Sequence, residues 1–202
     1  SKRVHPAWIA VGVTFLTLVA NAGFRSAPSV LIIPLQDAFG WSRSAISLAV
    51  SVNVLLFGLT APFAAALMER FGIRRVVMTA ELIVGLGALS TIYIQKPWHL
   101  VALWGVVVGI GTGSMALVFA ATVANRWFIK RKGLVIGGLT AAAATGQLIF
   151  LPGLSWLAVH HGWKSVSIVV GTASLIMVPV IFLFLKESPK HIGHTPYGAD
   201  HT

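Results

Sequence analysis

Apolar stretches and short polar interruptions alternate through the first 185 residues of the chain. The apolar stretches lie at residues 8–35, 44–68, 76–94, 99–123, 134–158 and 166–185. Each is close to or above the ~20 residues an α-helix needs to cross the hydrocarbon core of a bilayer. The pattern predicts an all-α membrane protein with six transmembrane helices. The first stretch is longer than the core requires, so it should tilt or kink. Pro28 and Pro34 are the expected kink points, because each removes a backbone donor. The link from Glu69 to Arg75 places four charges, on Glu69, Arg70, Arg74 and Arg75, between two apolar segments. A link this short makes its flanking helices antiparallel neighbours, and Gly72 supplies the freedom of a tight reversal.

Laying His99 on Trp8 aligns span 4 with span 1 and span 5 with span 2. Phe71-Gly72-Ile73-Arg74 then falls against His161-Gly162-Trp163-Lys164, a faint local echo. An odd number of spans per repeat places the copies upside down relative to each other, so the expectation is two inverted three-helix repeats.

Composition agrees with a membrane setting. Of 202 residues, 56% are hydrophobic and 10% charged, with a mean hydropathy of +0.86, whereas soluble domains carry about 25% charged residues. The net charge of +10 would suit nucleic acid, but most basic residues fall in alternate loops, so no nucleic-acid partner is expected. Lys2, Arg3, Arg70, Arg74, Arg75, Arg126, Lys130, Arg131, Lys132, Lys186 and Lys190 share one side, against Arg43, Lys96 and Lys164 on the other. By the positive-inside rule both ends are expected to be cytoplasmic, in a plasma or cell inner membrane. The first apolar run is too long for a signal peptide and shows no convincing cleavage site. There is no cysteine, which excludes disulfides and thiolate metal sites. The seven histidines show no ligand spacing within a span, and neither a metal nor a cofactor is expected. Trp8, Trp41, Trp98, Trp127 and Trp163 lie near span ends and read as interfacial anchors.

Polar residues inside spans carry the candidate chemistry. Thr14, Thr17, Asn21, Arg25 and Ser29 recur along one face of helix 1. Arg25 stands out, because an arginine deep in a bilayer costs roughly 2.5–3.5 kcal/mol on insertion scales and faces a cavity or partner. Its planar donor fork matches a carboxylate. Asn53 in helix 2 and Gln147 in helix 5 could line the same cavity or bond between helices. Glu81 lies under two turns from the end of helix 3 and is expected to reach the interface, with proton coupling as the alternative. Gly105, Gly109 and Gly113, and Gly133, Gly137, Gly138 and Gly146, form smooth faces for close helix packing.

The link Glu69-Arg-Phe-Gly-Ile-Arg-Arg resembles the loop between helices 2 and 3 of major facilitator transporters, Gly-x-x-x-Asp-Arg-x-Gly-x-Arg-Arg. Glu69 stands where that family usually has Asp, and Ala65 where its first Gly would fall. Arg126-Trp-Phe, followed by basic residues and Gly133-Leu, resembles the helix 4–5 loop of oxalate/formate antiporters and monocarboxylate transporters. Phe39-Gly40-Trp41-Ser42-Arg43 is similar to the same branch. The resemblance implies the first six of twelve helices, with residues 1–185 as the bundle and 186–202 as a cytoplasmic linker. It implies that Arg25 is the counterpart of a functional lysine in helix 1. It also implies that Glu69, Arg70, Gly72, Arg74, Arg75 and Arg126 form a gating motif.

The expected function is half of a secondary active transporter moving a small organic anion, a mono- or dicarboxylate, by alternating access. Arg25, Asn21, Ser29, Asn53 and Gln147 are its expected substrate-binding residues. The expected partners are the anion, the lipid membrane and a second six-helix bundle, either a C-terminal half or another copy. The alternatives are a six-helix channel and an intramembrane enzyme. Channel-type Asn-Pro-Ala repeats are absent, and Ser114 has neither a Gly-x-Ser-Gly setting nor a histidine partner within a span.

Overall fold

Each expected span is helical in the structure, a computed structural model that describes residues 5–186 and 195–198. The helices are α1 (Pro6–Phe39), α2 (Arg43–Phe71), α3 (Ile73–Ser90, extended by a 3-10 turn at Thr91–Tyr93), α4 (Pro97–Trp127), α5 (Lys132–His161) and α6 (Trp163–Phe184). All six are long and apolar enough to cross a membrane. Local chemistry sets their ends. The His5 ring nitrogen accepts from the Ala7 amide at 3.0 Å, with Pro6 in the first turn. The Ser42 hydroxyl caps α2 by accepting from the Ala45 amide at 3.2 Å. α1 remains a single helix through Pro28 and Pro34.

Two of the reversals are single glycines. Gly72 links α2 to α3 at φ 93°, ψ 151°, and Gly162 links α5 to α6 at φ 84°, ψ 170°. Side chains clash with backbone in this region, so only glycine adopts it readily. The same single-residue reversal thus stands at corresponding places in the two halves, as the sequence echo implies.

Helix pairing follows the inverted repeat. Exchanging helices 1–3 with 4–6 turns the α1–α5 contact into α4–α2 and maps α3–α6 onto itself. These are the three most extensive pairings in the bundle. The next pair, α1–α6 and α4–α3, is related in the same way.

The glycine stripe of α4 does what its spacing predicts. A Cβ on Gly105, Gly109 or Gly113 would lie 3.1, 3.0 or 2.7 Å from backbone of Ala49, Asn53 or Phe57, successive turns of α2. Only hydrogen fits there. Gly146 of α5 is seated in the same way against Val19 and Ala22 of α1, whereas Gly133, Gly137 and Gly138 face open space. α4 is also irregular in a way the sequence did not announce. It is wound as a π-helix over Val101–Val107, stops at Gly113 and resumes at Leu117.

Two tryptophans expected at the interface lie in the core instead. Trp127 and Trp163 are buried, whereas Trp98 is exposed. Trp127 is covered partly by the segment after α6. The Tyr197 amide donates to the Trp127 carbonyl at 2.7 Å, and the Ile129 amide donates to the Tyr197 carbonyl at 2.9 Å. The Tyr197 ring lies edge-on to Trp8 at 5.4 Å. Part of the expected linker therefore docks across the start of α1 and the α4–α5 loop. The rest of it, 187–194 and 199–202, lies outside the described residues.

Candidate binding site at the centre of the bundle

The polar stripe of α1 changes environment along its length. Thr14 and Thr17 are buried and donate back to the Ala10 and Val13 carbonyls at 2.7 and 2.8 Å, so their hydroxyls are spent within the helix. Asn21, 8% exposed, donates to the Thr17 carbonyl at 2.9 Å and to Glu81 Oε1 at 2.6 Å. Its own Oδ1 is buried without a partner.

One turn on, Arg25 is half-buried. Its Nη2 donates to Asn53 Oδ1 at 2.6 Å, and its guanidinium lies over the Phe57 ring at 4.0 Å from the centroid. Asn53 is 2% exposed and donates in turn to the Trp104 carbonyl at 2.8 Å. That carbonyl lies in the π-wound segment of α4, where the normal helical register of acceptors is broken. Arg25 is thus steered by a chain running from α4 through α2 to α1, with an aromatic face beneath it. Its Nε has no partner. A small cavity of about 60 Å³ opens here, lined by Asn21, Arg25, Phe57, Thr112, Met115 and Ala143 among others. Met115 belongs to the interruption of α4 between Gly113 and Leu117.

Of the five residues expected to bind substrate, Asn21, Arg25 and Asn53 come together. Gln147 is exposed one turn along α5 from the cavity-lining Ala143. Ser29 is exposed, bonds to the Ser26 carbonyl at 2.9 Å, and lines a separate cleft with Asp37 and Ser155. Glu81 departs from expectation. It does not reach the interface but is fully buried, facing Asn21 and the Ser174 hydroxyl of α6. The signal was in the sequence, since Glu81 shares a helix face with Val77, Val84 and Ala88, all buried. Ser174, Phe57 and the Trp104 carbonyl carried no such signal.

The family model of the Major Facilitator Superfamily matches residues 13–200. The chain belongs to this superfamily. Among relatives, it is 26% identical over 183 residues to YcxA, an uncharacterised MFS-type transporter of Bacillus subtilis (strain 168), covering 90% of this chain and 45% of the relative. It is 31% identical over 192 residues to human monocarboxylate transporter 7, covering 90% of this chain and 36% of that protein. Against YhjX, an uncharacterised MFS-type transporter of Escherichia coli (strain K12), identity is 30% over 168 residues, with 81% and 38% covered. The chain therefore spans less than half the length of these relatives, all named as transporters and none as an enzyme.

As in the superfamily loop it resembles, the Glu69–Arg75 link clusters charge at one end of the bundle. Arg126 Nη2 donates to the Met68 carbonyl at 3.5 Å, joining the end of α4 to the end of α2. Arg74 lies over the Phe182 ring at 4.6 Å, tying α3 to α6. Glu69 is exposed, and among the described residues no cation lies within ion-pair distance of it.

Proposed function

We propose that the chain is the N-terminal half of a secondary transporter that binds a small organic anion, a mono- or dicarboxylate, at Arg25. The observation that carries this reading is the guanidinium itself, placed mid-span and fixed by Asn53 and Phe57. Its Nε remains free to donate, beside a cavity lined by Asn21. A side chain with five donors, of which one is tied to Asn53, retains enough for a bidentate carboxylate. The relatives named as monocarboxylate transporters support the same substrate class.

A second six-helix bundle completes the cavity in this reading. Support comes from the share of each relative that the chain spans. Gln147 then lines the cavity from α5, and Ser29 its far end. Both ends of the chain are cytoplasmic, the segment after α6 leads to the second bundle, and the arginine-rich link is the cytoplasmic gate. Rocking of one bundle against the other gives alternating access. Thermal-shift screening of carboxylates against the purified full-length protein tests the substrate class. Stabilisation by a mono- or dicarboxylate that Arg25→Ala abolishes is expected. A folded Arg25→Ala protein with unchanged stabilisation overturns it.

A further inference from the structure

Glu81 is the one acid of the five in the sequence placed deep inside a span. Its carboxyl lies where α1, α3 and α6 meet, with no exposed surface. Among the described residues no cation is within ion-pair distance of it. The charged groups around it are few. α1 offers Arg25, one turn beyond Asn21 and engaged by Asn53. α3 itself carries Arg74 and Arg75 near its start, α4 carries Arg126 at its end, and α6 has no titratable side chain between Lys164 and Lys186.

Hydrogen counting favours a protonated carboxyl. The Ser174 hydroxyl contacts Glu81 Oε2 and also lies 3.0 Å from the Glu81 backbone oxygen. A hydroxyl has one proton to donate. Both contacts are satisfied together when Oε2 carries a proton and donates to Ser174 Oγ, while Ser174 donates to the backbone oxygen. Oε1 meanwhile accepts from Asn21. A carboxylate would leave one Ser174 contact without a proton and bury a charge without a counter-ion, which membrane interiors disfavour strongly.

We propose that Glu81 is a proton-binding site, loaded and unloaded through Asn21 and the cavity beside Arg25. Loading transfers a proton from hydronium in the cavity to the carboxyl oxygen on the Asn21 side, and the carboxyl turns to present its O–H to Ser174; unloading reverses the turn and returns that proton to water. The cavity of about 60 Å³ is large enough for water. The unpartnered Asn21 Oδ1 is the acceptor that draws water toward the carboxyl. The use of the proton rests on the transporter reading. An anion held on Arg25 disfavours a second negative charge on Glu81, which is bonded to Asn21 on the preceding turn of α1, so anion binding promotes proton loading, and the reverse holds by linkage.

Infrared difference spectroscopy on the purified, lipid-reconstituted full-length protein tests this. The expected result is a protonated-carboxyl C=O band that fades as pH rises, shifts on exchange into D2O and is absent in Glu81→Gln. Ser174→Ala should keep the band but move it to the frequency of a weaker hydrogen bond. The proposal is overturned by the absence of any Glu81-dependent band across the pH range of the folded protein. It is equally overturned by a band that neither pH nor D2O moves, or by one that Ser174→Ala leaves unchanged. Anion uptake is a separate assay. A titrating Glu81 band without carboxylate uptake would retire the substrate reading alone, and carboxylate uptake with a Glu81 that never titrates would retire this inference alone.

Discussion

A guanidinium inside a bilayer must be given donors' partners or water, and Arg25 receives a limited supply. Asn53 takes one donor and Phe57 covers one face. Arg25→Lys keeps the charge but loses the planar fork, so carboxylate affinity should fall roughly ten- to a hundred-fold, the worth of a charged hydrogen bond. Asn53→Ala should weaken binding less, about three- to tenfold, because Asn53 orients the guanidinium without touching the anion itself. Equilibrium binding of a labelled carboxylate to folded variants checks both, and equal losses would contradict the ordering. At this scale the sequence was informative where polarity was out of place. Arg25, Asn21 and Asn53 were visible because the membrane makes each costly. Glu81 is buried despite its short distance from the span end, because its angular position puts it on the face of α3 shared with Val77, Val84 and Ala88. Phe57 and Ser174 look ordinary in an apolar helix, and only the packing gives them a role.

The helices are held by close approach as much as by side-chain bulk. Gly109→Val would push a side chain against Asn53 backbone at 3.0 Å and should cost about 1–3 kcal/mol. It should also displace Asn53 and so weaken anion binding. Gly72→Ala and Gly162→Ala should each cost about 1–3 kcal/mol for forcing a side chain into a glycine conformation. The two losses should be similar, as the repeat places the residues equivalently. Unfolding in mixed detergent measures all three, and a neutral Gly72→Ala would remove the strain account. Spans, reversals and the α4 glycine face were legible because hydropathy, glycine and spacing each have one structural meaning here. The π-wound stretch and the interruption of α4 were not, since Val101–Val107 reads as any apolar helix. Its Trp104 carbonyl accepts from Asn53 of a neighbouring helix, a long-range contact that local sequence does not report.

For the molecule as a whole, the two inverted halves make a bundle whose polar residues converge between α1, α2, α3, α4 and α6. That convergence gives the superfamily fold a site. The arginine-rich Glu69–Arg75 link, the cytoplasmic gate in our proposal, lies at the end of the bundle, and Glu69 has no cation beside it among the described residues. Its latch partner in our reading belongs to the second bundle. Glu69→Gln should therefore shift the full-length protein toward the cytoplasm-open state, read as increased cysteine labelling at Thr122→Cys, a half-buried position, and unchanged labelling would contradict the latch. The central claim, that this half binds an organic anion at Arg25 for transport, is tested most directly by uptake into liposomes carrying the full-length protein. Saturable, counterflow-competent uptake of a radiolabelled mono- or dicarboxylate, lost in a folded Arg25→Ala variant, is the predicted result. Uptake by that variant at the wild-type rate and affinity would contradict the account.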